Sequence, residues 1–153
     1  MMVDNVVVDA LKKKFGDAIR EVIEFREEIT VIVDASRIFE VGEYLRSNSE
    51  LAYDFLTDIC GVDHLPNDPR FEVVYHLYSM KYNRRLRVKT KVSEKNAEID
   101  SLSLIWASAN WLERECYDLF GIQFKGHPDL RRILMPEDWE GYPLRKDYPL
   151  KGF

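Results

Sequence analysis

The apolar positions of this chain switch between two spacings, and the switches mark its elements. Val7, Ala10, Leu11 and Phe15 recur every three or four residues, the period of one helix face. Asp4 and Asn5 are placed to cap that helix and Gly16 to end it. The period then falls to two. The runs Val22-Ile23-Glu24-Phe25-Arg26 and Ile29-Thr30-Val31-Ile32-Val33 flank the polar pair Glu27-Glu28, which predicts a hairpin. Ser36 opens a second helix with Ile38, Val41 and Leu45 inward, and Arg46-Ser47-Asn48-Ser49 breaks it. A third strand follows from Tyr53 to Ile59, and a loop with two prolines spans 61–69. Phe71, Val73, Tyr75 and Leu77 mark a fourth strand. Tyr82-Asn83-Arg84 makes a turn into a fifth, with Leu86, Val88, Thr90 and Val92 on one face. Ser101 or Ser103 is placed to cap a third helix, whose stripe is Ile105, Ala109, Leu112, Cys116 and Leu119, and Gly121 is its stop.

This order predicts an α+β fold: a mostly antiparallel sheet of about five strands, with helices packed on one face. The pattern ends near Gly121. We divide the chain there into an α+β domain, 1–122, and an extended C-terminal strap, 123–153. Four of the six prolines fall in that second part (Pro128, Pro136, Pro143 and Pro149) and disfavour a long helix or a central strand. It is also dense in Trp, Tyr and Arg, the types that dominate interface hot spots.

Bulk properties narrow the function. At 153 residues, 46% hydrophobic and 32% charged, the chain fits one soluble globular domain. A net charge of −5 argues against a dedicated nucleic-acid binder. Cys60 and Cys116 are single and far apart, so linear spacing offers no cysteine-ligated zinc or iron–sulfur site, and a reducing compartment is expected. The start of the chain lacks the pattern of a secretory signal, and no apolar run is long enough to span a bilayer. The scattered glycines form no phosphate-binding motif.

Three features could carry chemistry. Arg85, Arg87, Lys89 and Lys91 share one strand face within the basic stretch from Lys81 to Lys95, which fits either an anionic partner such as RNA or a solvated strand guarded against edge pairing. Glu113, Glu115 and Asp118 cluster on the last helix. They could form an acid/base or metal pair with His127 nearby, or a charged face satisfied by Arg114, Arg131 or Arg132. The strap offers Trp139, Tyr142 and Tyr148 as large anchors and Arg145-Lys146 as charged ones. It either docks to another subunit or wraps its own domain.

The same segment carries a long motif. Glu113-Arg114-Glu115, Asp118-Leu119-Phe120-Gly121-Ile122 and Phe124 are followed by Gly126-His127-Pro128-Asp129-Leu130-Arg131-Arg132-Ile133-Leu134. Then come Pro136, Asp138-Trp139, Gly141 and Pro143-Leu144-Arg145-Lys146-Asp147-Tyr148-Pro149. These residues closely resemble the signature of the C-type subunit of NADH-quinone oxidoreductase, the respiratory complex I thirty-kilodalton subunit family. The resemblance implies a hydrophilic peripheral-arm subunit on the cytoplasmic side of the cell membrane, without a membrane span or nucleic-acid partner. It implies no cofactor or catalytic group in this chain, with FMN and iron–sulfur clusters held by partner subunits. It implies docking to the D- and B-type subunits, which frame the quinone site and last cluster. The residues expected to dock are Glu113, Arg114, Glu115, Asp118, His127, Arg131, Arg132, Trp139, Tyr142, Arg145, Lys146, Asp147 and Tyr148. Alternatives are the equivalent subunit of a membrane-bound hydrogenase or ferredoxin/quinone oxidoreductase, a small RNA-binding domain using the Lys81–Lys95 face, and a hydrolase using Glu115 and Asp118.

Overall fold

The computed structural model describes residues 6–149. Helix α1 (Val6–Phe15) buries Val7, Val8, Leu11 and Phe15, and Gly16 ends it at φ +54°, a conformation that suits a residue without Cβ. The expected cap at Asp4 and Asn5 lies outside the described residues. Strands β1 (Ile19–Phe25) and β2 (Glu28–Val33) form the first hairpin. Its turn is Arg26-Glu27 rather than Glu27-Glu28: both residues take positive φ (52° and 68°), and Glu28 pairs with Phe25. Two successive left-handed residues match the twist of the flanking strands.

Helix α2 (Ile38–Ser47) buries Ile38, Val41 and Leu45, as the spacing predicts. It is not opened by the Ser36 side chain acting as a cap. Residues Ala35–Arg37 form a 3₁₀ turn, in which Asp34 Oδ1 accepts the Ser36 N–H at 3.0 Å and the Ser36 hydroxyl at 2.9 Å. Strands β3 (Phe55–Asp63), β4 (Phe71–Ser79) and β5 (Arg84–Val92) are longer than their apolar runs. The third strand starts two residues later than expected and continues through Gly61 to Asp63, because Asp63 is held by the buried Arg70 that precedes β4. A register shift lies between Leu56 and Asp58.

The sheet order is β1-β2-β5-β4-β3, and every pair is antiparallel except β2–β5. The hairpin thus joins the meander side by side, which makes β5 a central strand. Its alternating Arg and Lys residues therefore do not guard an edge. The apolar face of the sheet carries Val31, Val33, Leu56, Ile59, Phe71, Val73, Tyr75, Leu77, Leu86 and Val88, all buried, and the helices cover it.

Helix α3 is Ala109–Phe120, shorter than expected. Ser101 and Ser103 do not cap it, because residues 101–108 make turns instead. Ser108 precedes the helix, but its hydroxyl donates to Leu56 O at 2.7 Å. Trp106 is buried in this connection and donates its indole N–H to Tyr53 O at 3.0 Å, its ring lying close over Gly42 of α2. Two short strands have no signal in the apolar pattern: β6 (Glu98–Asp100) and β7 (Gln123–Lys125) pair in parallel and bury Ile99 and Phe124. Residues 126–149 contain no helix or strand.

Candidate functional site

Two of the three acidic residues on α3 are not surface groups. Glu113 and Asp118 are both fully buried. The stripe that predicted the helix placed Leu112 and Leu119 inward, yet both are only partly buried, and the two carboxylates occupy the interior. A buried carboxylate is tolerated only when its oxygens are satisfied, and each of these has a dedicated set of donors.

Asp118 ties the strap down. Its Oδ2 accepts the backbone N–H groups of Ile133, Leu134 and Met135 at 3.1, 2.7 and 2.9 Å. Its Oδ1 accepts from the Arg132 guanidinium at 2.7 Å. Burial alone would push this carboxyl up, but the bonds from Met135, Arg132, Ile133 and Leu134 outweigh it and hold the pKa below the usual range. Arg132 also donates to Asp118 O at 3.0 Å and Gly141 O at 2.7 Å, so one guanidinium joins the helix to two points of the strap.

Glu113 holds a different segment. It accepts from the Ser101 hydroxyl at 2.6 Å and the Leu102 N–H at 2.7 Å, fixing the turns that lead into α3. Here burial wins: it pushes the pKa up to about 7 against these two bonds. Glu115, half-buried, accepts from Trp111 Nε1 at 3.2 Å. A paired acid/base site at Glu115 and Asp118 is thus not assembled, since both Asp118 oxygens are already taken by donors.

A second anchor was not legible in the sequence. Arg70 is almost fully buried and divides its guanidinium among three carboxylates. It meets Asp63 through Nε and Nη2 at 2.9 and 2.8 Å, Glu94 at 2.7 Å and Asp147 of the strap at 2.8 Å. Asp63 also accepts the Lys146 N–H at 2.8 Å and the Leu65 N–H at 2.9 Å. The Arg70 guanidinium holds the Asp63 carboxyl well below the usual carboxylate range, the backbone donors add to it, and burial opposes it. Nothing in linear order links Arg70 with Asp147; only the fold brings them together.

Between the two anchors the strap crosses the end of α3. Arg145 Nε donates to Phe120 O at 2.7 Å, and Leu144 N–H donates to Leu119 O at 3.0 Å, satisfying carbonyls that a helix C-terminus leaves without partners. The Arg145 guanidinium lies over the rings of Phe71 and Tyr142 at 5.0 and 4.8 Å, and Arg132 also lies over Tyr142 at 5.0 Å. Gly121, at φ +79°, is required twice: for its left-handed conformation and because a Cβ there would meet Arg145 at 2.6 Å and Tyr142 at 2.7 Å. Arg114 donates to Arg131 O and Arg132 O. His127 Nε2 lies 2.9 Å from Asn110 O, and its Nδ1 accepts the Asp129 N–H at 2.9 Å. Tyr148 N–H donates to Arg145 O.

The remaining expected docking residues point outward. Arg131 is exposed and its side chain meets Asp129 and Glu137. Lys146 is exposed and uses its backbone N–H. Trp139 is 38% exposed, Leu134 54%, Leu144 53% and, on α3, Trp111 54%. The strap therefore spends many of its hydrogen-bonding groups on its own domain and leaves Leu134, Trp139 and Leu144 exposed among charged residues such as Glu137, Asp138 and Glu140. The sheet face at Lys81–Lys95 is mixed in charge, since Arg87 meets Glu28 at 3.1 Å and Lys89 lies 3.8 Å from Glu72. No helix among the described residues is long and apolar enough to cross a membrane.

Residues 31–153 match the family described as respiratory-chain NADH dehydrogenase, 30 Kd subunit. A relative from Geotalea uraniireducens (strain Rf4), the C-type subunit of an NADH-quinone oxidoreductase, is 53% identical over 99% of this chain and 92% of its own length. The corresponding subunit from Roseiflexus sp. (strain RS-1) is 50% identical over 98% of this chain and 87% of its own. Among solved structures, a trypsin-resistant fragment (1-134) of Nqo5 is similar with a TM-score of 0.69 and 32% identity, covering 81% of this chain and 98% of that one. A protein of an archaeal respiratory membrane complex, the membrane-bound sulfane sulfur reductase, is similar with a TM-score of 0.77 and 28% identity, covering 94% of this chain and 84% of that one. The chain belongs to the 30 Kd subunit family of respiratory-chain NADH dehydrogenase, the family of the C-type subunits of NADH-quinone oxidoreductases.

Proposed function

We propose that this chain is a non-catalytic peripheral-arm subunit of a proton-translocating NADH:quinone oxidoreductase. It braces the D- and B-type subunits that form the quinone site and terminal iron–sulfur cluster. It works on the cytoplasmic side of the cell membrane, held there through the complex, while FMN and the clusters sit in its partners. The strap carries this reading. Arg132, Asp147 and the backbone N–H groups of Ile133, Leu134, Met135 and Lys146 are bound to Asp118, Arg70 and Asp63, which fixes its path over the domain. Its outer side then presents Leu134, Trp139 and Leu144 at fixed positions. Exposed large apolar groups on a preorganised segment are what an interface uses, because little ordering entropy remains to be lost on binding.

The likeness to a protein of the sulfane sulfur reductase supports a second reading, in which the same scaffold serves a complex with another electron donor. Affinity purification of the chain from detergent-solubilised membranes, with mass spectrometry of the partners, separates the two. NADH-binding flavin subunits beside D- and B-type subunits support the first; a hydrogenase-like or ferredoxin-linked module supports the second. Trp139→Ala is expected to lower partner recovery while leaving circular dichroism unchanged. A chain recovered without partners would overturn both readings.

A further inference from the structure

We infer that Asp58, Cys60 and His76, on the sheet face turned away from the helices, form a binding site for one divalent transition metal of the zinc type. Their ligand atoms all lie within 4.8 Å of one another, and Cys60 Sγ is 3.0 Å from Asp58 Oδ2. Linear spacing hides the site. Asp58 and Cys60 alternate on β3, and His76 comes from β4. They meet only through the register: the shift between Leu56 and Asp58 leaves Thr57 without a partner strand residue and sets Asp58 directly opposite His76. Without that extra residue Asp58 would turn toward the helices and His76 would face Thr57. Bulges of this kind commonly re-aim a side chain at functional positions, and the Thr57 hydroxyl pins this one by donating to His76 O at 3.0 Å.

The donor set suits zinc: one thiolate, one imidazole and one carboxylate, with a fourth position left to water. A tetrahedral ion needs ligand atoms about 3.3–3.6 Å apart, against the 4.8 Å within which these three lie. All three residues are only partly buried, and Asp58 and His76 border an open groove of about 410 Å³. The neighbouring strand brings Arg87 and Lys89 to this face, and each has a carboxylate partner: Arg87 meets Glu28 at 3.1 Å and donates to Thr30, and Lys89 lies 3.8 Å from Glu72. On binding, the metal–sulfur bond forms as the Cys60 S–H proton leaves to solvent, while Asp58 and His76 bind through existing lone pairs.

The test is titration of the purified, tag-free full chain with Co²⁺, followed by competition with Zn²⁺. One equivalent of Co²⁺ is expected to produce a thiolate-to-cobalt absorption that Zn²⁺ bleaches. Cys60→Ser removes the absorption, and His76→Gln and Asp58→Asn each weaken binding at least about tenfold. Cys116→Ser leaves it unchanged, with circular dichroism verifying that every variant is folded. Absence of the absorption from the natural chain overturns the proposal. So does its survival in Cys60→Ser, its loss in Cys116→Ser, or indifference to both His76→Gln and Asp58→Asn, which would mean adventitious binding to a lone thiol.

Discussion

Replacing Asp118 by Ala should free the strap while leaving the domain folded. The carboxylate is the common acceptor for four donors: the N–H groups of Ile133, Leu134 and Met135, and Arg132. Counted one by one at about 1.5–3 kcal/mol per bond to a charged group, their loss would exceed the stability of many domains. That sum is not the expected cost, because all four donors belong to the strap and can reach water if it lifts. The cost is capped by the free energy of docking this stretch, and removing one partner of a buried ion pair sets the scale at about 3 kcal/mol. That figure corresponds to roughly 150-fold in an opening equilibrium. Amide hydrogen exchange at Ile133, Leu134 and Met135 should therefore accelerate by about two orders of magnitude, and trypsin should cut faster after Arg131 and Arg132. Amides of Val73, Tyr75 and Val88 in the central strands should keep their protection. Unchanged exchange at the three strap amides would falsify the assignment of Asp118 as the anchor.

Two further outcomes follow from buried contacts. Glu113 has a folded pKa of about 7 against an ordinary 4.5, so its contribution to stability is full below about 4.5 and is lost as pH rises through about 7. Urea unfolding should show the natural chain losing roughly 3 kcal/mol more than Glu113→Gln across that window, and identical pH profiles would refute the reading. Gly61→Ala would place a Cβ 2.5 Å from the Phe120 ring, which is itself packed in the core. Melting should show a loss of about 1–3 kcal/mol, partly recovered when Phe120→Leu is added; no recovery would mean that the clash lies elsewhere.

Local order determined much of this protein. Apolar spacing alone placed the three helices and five main strands, because a face buried against a core demands one period per element type. Pro128, Pro136, Pro143 and Pro149 fall in the stretch without helix or strand, since they remove the donors that helices and sheets need. But β7 lies beyond Gly121, so regular structure runs past the point where the pattern ended. The motif from Glu113 to Pro149 pointed to the family. What the spacing could not supply is anything that depends on which elements become neighbours. It left Glu113, Glu115 and Asp118 as either an acid/base or metal pair or a charged face satisfied by arginines, which holds for Asp118 with Arg132. It could not show that Glu113 and Asp118 are buried, because their donors come from segments 11 to 17 residues away. It missed β6 and β7, whose three-residue lengths carry no periodicity. It had no means to join Arg70 with Asp147, 77 residues apart, or Asp58 and Cys60 with His76 across a bulged register. Charge pairing and metal-type geometry act over a few ångströms in space, so only the tertiary structure could decide them.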